Sequence, residues 1–301
     1  MATIATRGPG ERTVVRRVSA FLYRHRRAQL ALTLGPPVAW MLVVYLAALL
    51  LLLVTSFWRV NPLTSSIERV WSLGNYRELV TESIFRTIAL RTLGMAAAVA
   101  LTDVVLAFPV AYYAARIATP RARAGILLAV VLPLWSSYLV RVFAWRTILE
   151  GGGPAESFLR LIGLGGFRVT FSNWAVWITF TYLWLPFVVL PIFAAIERIP
   201  SSLLEASSDF GAKAPTTFRR VIWPLAFPGV VAGSIFAFSL TLGDYIAPNL
   251  VGNTQFIGNV ISEKVGTVGD LPFAAAFAMV PVAIMAVYLT VARRLGAFEA
   301  L

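Results

Sequence analysis

Charged residues are absent from long stretches of this chain, and the gaps between charges are its dominant pattern. A bilayer core of about 30 Å needs about 20 apolar residues in helical form. Ala28–Trp58 carries no charge, and Thr92–Ala115 carries only Asp103. Ala124–Val140, Val169–Ile196, Val221–Gly243 and Leu271–Ala292 carry none. The pattern predicts six membrane-spanning helices and an all-α membrane protein. The first apolar run is too long for a secretory leader and is followed by no convincing small-residue cleavage site. It is read as a retained helix.

The basic residues orient the spans. The tail before the first span holds Arg7, Arg12, Arg16, Arg17, Arg24, Arg26 and Arg27. Arg116, Arg121 and Arg123 fall on the same side, as do Arg198, Lys213, Arg219, Arg220, Arg293 and Arg294. That side takes 16 of the 26 Lys and Arg residues. Six spans with both termini in the cytoplasm fit this bias. Residues 1–31 then form a basic cytoplasmic tail, and residues 32–301 form a single transmembrane domain with an inner loop at 197–227. Gly151-Gly152-Gly153-Pro154 marks a break between spans three and four, and 249–270 reads as a partly folded outer loop.

Composition adds constraints. The chain is 58% hydrophobic and 13% charged, against about 25% charged in soluble domains. The net charge of +12 is accounted for by a membrane surface, and no separate basic domain suits nucleic acid. There is no cysteine and a single histidine, His25, in the basic tail. Disulfides, thiolate catalysis and a cysteine- or histidine-based metal site are excluded. A membrane-embedded enzyme would need a catalytic cluster, and no span carries a pair of carboxylates at helical spacing. A secondary transporter tends to show internal repeats, and none is visible.

The inner loop between spans four and five is the most informative segment. Ser202 and Glu205 have capping-box spacing, Asp209 lies one turn on, and Pro215 disfavours helix at Ala214. A short helix of about three turns is expected here, at the membrane surface. By composition alone it is a mere connector.

Glu205-Ala206-Ser207, three residues, Gly211, nine residues, then Val221-Ile222-Trp223-Pro224 resembles the EAA signature of bacterial ABC-importer permeases. It departs at Ser207, Val221 and Trp223. Tyr182-Leu183-Trp184-Leu185-Pro186-Phe187, Val140-Arg141-Val142-Phe143-Ala144-Trp145 and Ile257-Gly258-Asn259-Val260-Ile261 resemble the spermidine/putrescine branch of that family. Leu271 stands where that branch usually has Trp. The resemblance spans roughly residues 77 to 295.

It implies the type I ABC importer permease fold and a bacterial inner-membrane location. It also implies a dimer of ATP-binding subunits inside, a second homologous permease subunit in a heterodimer, and a substrate-binding protein outside. The loop would be a coupling helix docked on the ATP-hydrolysing subunit through Glu205, Ala206, Asp209, Phe210, Gly211 and Lys213. ATP and magnesium would be bound by that partner and no cofactor by this chain, which has no phosphate loop. The substrate implied is a polyamine; ferric iron or sulfate is the alternative within the family.

Ionisable residues in a span cost on the order of 3 kcal/mol on insertion scales and face protein or a water-filled path. Asp103 either lines the pathway or bonds to a neighbouring helix. Asp244 either joins a substrate gate with Tyr245 or caps the end of span five. Trp184 and Tyr182 are further pathway candidates, since aromatic faces attract amines. Arg141 and Arg146 are expected to snorkel to the interface. Gly229 and Gly233 form a Gly-x-x-x-Gly pair, expected to pack against a second permease subunit.

Overall fold

A computed structural model describes residues 26–61, 63–163 and 169–294. His25, most of the basic tail, Arg168 and the last residues lie outside these. Two compact units are present, Met1–Val54 and Thr55–Leu301. The first contributes one described helix, α1 (Arg26–Thr55), with Leu30–Thr55 at a mean hydropathy of 2.7.

The second unit opens with a two-residue hairpin, β1 (Arg59–Val60) against β2 (Ile67–Glu68), and a short helix, α2 (Gly74–Thr81). Helix α3 (Ser83–Tyr112) starts nine residues before the apolar run at Thr92 and ends in a wide π turn, Tyr113–Ile117. Its first turns carry Arg86 and Arg91, so a charge-free window misses them.

The third predicted span is not one straight helix. Thr119 caps α4 (Pro120–Val131), accepting from the Ala122 amide at 3.3 Å, and Pro120 supplies a preset φ at the first turn. Pro133 then tightens the chain into a 3₁₀ turn, Leu132–Trp135, and Ser136–Ser137 run extended. Helix α5 (Tyr138–Leu149) follows, then α6 (Pro154–Leu161). The path turns by 97° between Pro120–Trp135 and Tyr138–Leu161. No charge interrupts this corner, so a pattern of charge-free runs could not show it.

Helix α7 (Asn173–Glu197) is capped by Ser172, which accepts from the Ala175 amide at 3.2 Å. A short helix, α8 (Ser201–Asp209), and a single turn, α9 (Ala214–Thr217), lead through a π turn into α10 (Trp223–Gly243). The outer segment is more ordered than expected. It holds α11 (Ile246–Val251) and α12 (Ile257–Glu263) before the last long helix, α13 (Leu271–Arg294). Among the described residues five helices are long and apolar enough to cross a membrane, and the bent pair makes a sixth if taken as one span. The all-α membrane architecture and its span count hold.

The core lies where α3, α7 and α10 meet. Val99, Phe180, Leu183, Ile192, Ile196 and Leu242 are fully buried there. Lipid gives little hydrophobic drive for helices to associate, so close packing must supply it. Gly229 and Gly233 do this. A Cβ on Gly229 would sit 2.5 Å from the Ala195 Cβ, and one on Gly233 would sit 3.0 Å from the Val188 Cα. The Gly-x-x-x-Gly pair therefore packs against α7 of the same chain, correcting the expected intersubunit role.

Candidate functional site

The segment after α7 behaves differently from its expected form. No side chain caps α8, so the Ser202–Glu205 box does not form; Pro200 occupies the N-cap position. Gly211, not Pro215, ends the helix. Its φ of +73° is the left-handed conformation that favours glycine. The Ala212 amide donates to the Ser207 carbonyl at 3.1 Å and the Gly211 amide to the Ser208 carbonyl at 2.8 Å. This is the Schellman arrangement. Pro215 instead opens α9, where its missing N–H costs nothing. Open space surrounds the position of a Gly211 Cβ. Within the chain, then, backbone conformation rather than close approach calls for glycine there.

The turn throws Phe210 outward, 91% exposed. Glu205, Ala206 and Asp209 are exposed beside it. Leu203, Ala206, Phe210, Gly211, Lys213 and Arg220 line a cleft of about 570 Å³. The Ser207 and Thr217 hydroxyls bond at 2.9 Å, tying α8 to the end of α9. That contact gives the Ser at 207, where the signature has Ala, a task.

A second cluster forms where α5, α7 and α11 converge. Asp244 ends α10, and its Oδ1 accepts from the Ile246 and Ala247 amides at 2.8 and 3.0 Å, capping α11. Its Oδ2 accepts from the Tyr138 hydroxyl. The Tyr138 ring stacks on Trp184 at 6.0 Å, and Trp184 stacks on Phe180 at 6.3 Å. Asp244, Trp184 and Tyr138 are thus one unit. Tyr138 was invisible in the sequence because it lies inside the predicted third span; the Ser136–Ser137 break that exposes it was the missed signal. Tyr245 is half-exposed, and its carbonyl accepts from the Asn259 side chain at 3.1 Å. Gly258 must be small, since a Cβ would lie 2.7 Å from the Asp244 carbonyl oxygen. Tyr182 instead packs on Trp145, ring centres 5.3 Å apart.

Two other charges are deeply placed. Asp103 is fully buried on α3, and neither carboxyl oxygen has a hydrogen-bond partner among the described residues. Arg141 does not snorkel. It is 9% exposed, one turn beyond Tyr138, with Nε and Nη1 unpartnered among the described residues. Arg146, by contrast, lies over the Phe171 ring at 5.9 Å.

Comparison with known proteins places this geometry. The family model for the binding-protein-dependent transport system inner membrane component matches residues 32–298. An inner membrane ABC transporter permease protein of Escherichia coli K12, YdcU, is 43% identical over 299 residues, covering 95% of each chain. The spermidine/putrescine transport system permease protein PotB of Salmonella typhimurium SL1344 is 31% identical over 258 residues, 84% of this chain and 89% of that one. A bacterial alginate ABC transporter, in complex with an alginate pentasaccharide-bound periplasmic protein, superposes at a TM-score of 0.71. That likeness covers 90% of this chain and 96% of the other at 18% identity, a likeness of fold alone. The chain belongs to the family of inner membrane components of binding-protein-dependent transport systems and is a permease subunit of an ABC importer, not itself an enzyme.

Proposed function

We propose that this chain forms part of the translocation pathway for a small cationic solute, a polyamine such as spermidine or putrescine. Helix α8 and the Phe210–Lys213 turn dock on a separate ATP-hydrolysing subunit. The observation that carries the docking is Phe210, an aromatic ring 91% exposed at the tip of a braced helix beside an open cleft. Glu205 and Asp209 accept hydrogen bonds there, and Lys213 meets a carboxylate of the partner. ATP and magnesium belong to that partner, which acts as a dimer, and this chain binds neither.

A second, homologous permease completes the pathway as a heterodimer, within the lipid of a bacterial inner membrane. A substrate-binding protein delivers solute from outside, and both termini lie in the cytoplasm. ATP favours one of two states by binding it more tightly, and the docked helices transmit that preference. No nucleic acid is involved.

The polyamine reading rests on the named substrate of the 31% relative and on the Asp244–Tyr138–Trp184 unit, a carboxylate among aromatic faces. Tyr245, next to Asp244 in the chain, and Tyr182, packed on Trp145, are assigned to the same pathway. Asp103 is assigned to the same pathway, because a buried, unpartnered carboxylate is tolerated where a solute or a moving helix meets it. One observation favours a second reading: the buried guanidinium of Arg141 suits a solute bearing an anionic group, as in the sulfate alternative. Uptake of radiolabelled spermidine and putrescine, with and without this chain and with its partners present, decides between them. Loss of uptake on deletion supports the polyamine; unchanged uptake removes it and leaves the permease assignment standing.

A further inference from the structure

Two arginines, Arg116 on the π turn after α3 and Arg123 in the first turn of α4, grip the corner from which α8 hangs. The Nη2 of Arg116 donates to the Ile196 carbonyl at 2.5 Å and also to the Ile199 carbonyl. These carbonyls flank the point where α7 gives way to α8. Arg123 pairs with Glu197 and lies 4.8 Å over the Phe193 ring. The last carbonyls of a helix have no partner within it, and a cation there also meets the negative end of the macrodipole. Arg116 stands on the π turn Tyr113–Ile117, a wide turn of the kind found at functional sites. It is half-buried, so its charge-assisted bonds are less screened than a surface pair. A residue needed only to set topology would require no acceptor. Arg116 has two, on backbone 80 and 83 positions along the chain.

We propose that Arg116 is a positioning residue for coupling. It pins the α7–α8 corner to the end of α3, so that a force on α8 moves α3 and α7 together. Those helices carry Asp103 and Trp184. Without the clamp, α8 pivots at Arg198–Pro200 and its movement is lost before it reaches the bundle. The inference rests on the reading of α8 as the docking helix, but the clamp itself can be tested apart from it.

The chain has no cysteine, so a nitroxide attached to S208C in this subunit before assembly sits on α8 and nowhere else in the chain. The label is placed in otherwise unchanged chain, in R116M and in R116K, each within the full complex in lipid nanodiscs. Methionine fills the space without a donor; lysine restores one donating nitrogen. The expected result is faster label motion in R116M and a fall of roughly fivefold or more in binding-protein-stimulated ATP hydrolysis per assembled complex. Both should recover in R116K. E197Q removes the Arg123 pair alone and should change either readout less than R116M does.

Unchanged label motion in an assembled R116M complex overturns the clamp, whatever α8 docks on. Faster motion with full stimulation overturns the coupling role. Full stimulation in a Glu205→Lys complex would instead sink the docking reading, and the label result would still stand as a statement about Arg116.

Discussion

The α8 segment and the Asp244 cluster are built on opposite principles. Around α8 the distinctive side chains point outward: Phe210 and Glu205 are exposed, while Leu204, Ser207 and the backbone of the Gly211 turn are engaged within the chain. Around Asp244 every oxygen of the carboxylate is used, by Tyr138 and by two backbone amides. On the reading proposed above, the first region serves a partner outside the chain. The other holds a charge ready inside it. A docking surface is recognisable by what it leaves free, and an internal site by how its groups restrain one another.

Substitutions sharpen this contrast, and the largest effect belongs to the outward-facing region. Glu205→Lys reverses a charge that has no ion-pair partner among the described residues. ATP-driven uptake should vanish while membrane insertion and thermal stability stay as they were, checked by uptake and melting assays on one preparation. Asp244→Asn comes next. The amide oxygen still caps α11, so the fold persists, but the charge is gone. A charge-assisted contact is worth about 1.5–3 kcal/mol, so half-saturating polyamine should rise about tenfold or more in initial-rate uptake. An unchanged value would make Asp244 a cap and nothing else.

Gly211→Ala places a Cβ in the left-handed region at a cost of about 1–2 kcal/mol. The end of α8 should fray and ATPase-subunit copurification weaken several-fold, with the polyamine half-saturation constant unaltered. Ser207→Ala removes the bond to Thr217, worth about 0.5–1.5 kcal/mol, and restores the residue usual in the EAA signature. Uptake should stay within about twofold of the unchanged chain, with a slightly lower melting temperature.

Much of the fold was legible because apolar length is a local property. The long helices α1, α3, α7, α10 and α13 follow from it, whereas the short helix α8 was expected from its polar cap spacing and the following proline. The 97° corner was not legible, since Leu132-Pro133-Leu134-Trp135 is as apolar as a straight helix would be. The left-handed turn at Gly211 was not legible, because spacing does not reveal the sign of φ. Gly229 was assigned to another subunit because a small-residue pair says that something packs closely, not what. In the candidate site, Asp244 and Trp184 could be named individually. Their junction through Tyr138, and the burial of Arg141 beside it, depend on α5 folding back against α7, and no local pattern encodes that.

The central claim is that the Phe210 turn meets an ATP-hydrolysing subunit. The most direct test places a photo-crosslinking amino acid at position 210 of the assembled, membrane-embedded complex and identifies the adduct by mass spectrometry. The prediction is an adduct with the ATP-binding subunit, lost when Glu205→Lys is added. Crosslinks to lipid alone, with the ATP-binding subunit still copurifying in full, would contradict it.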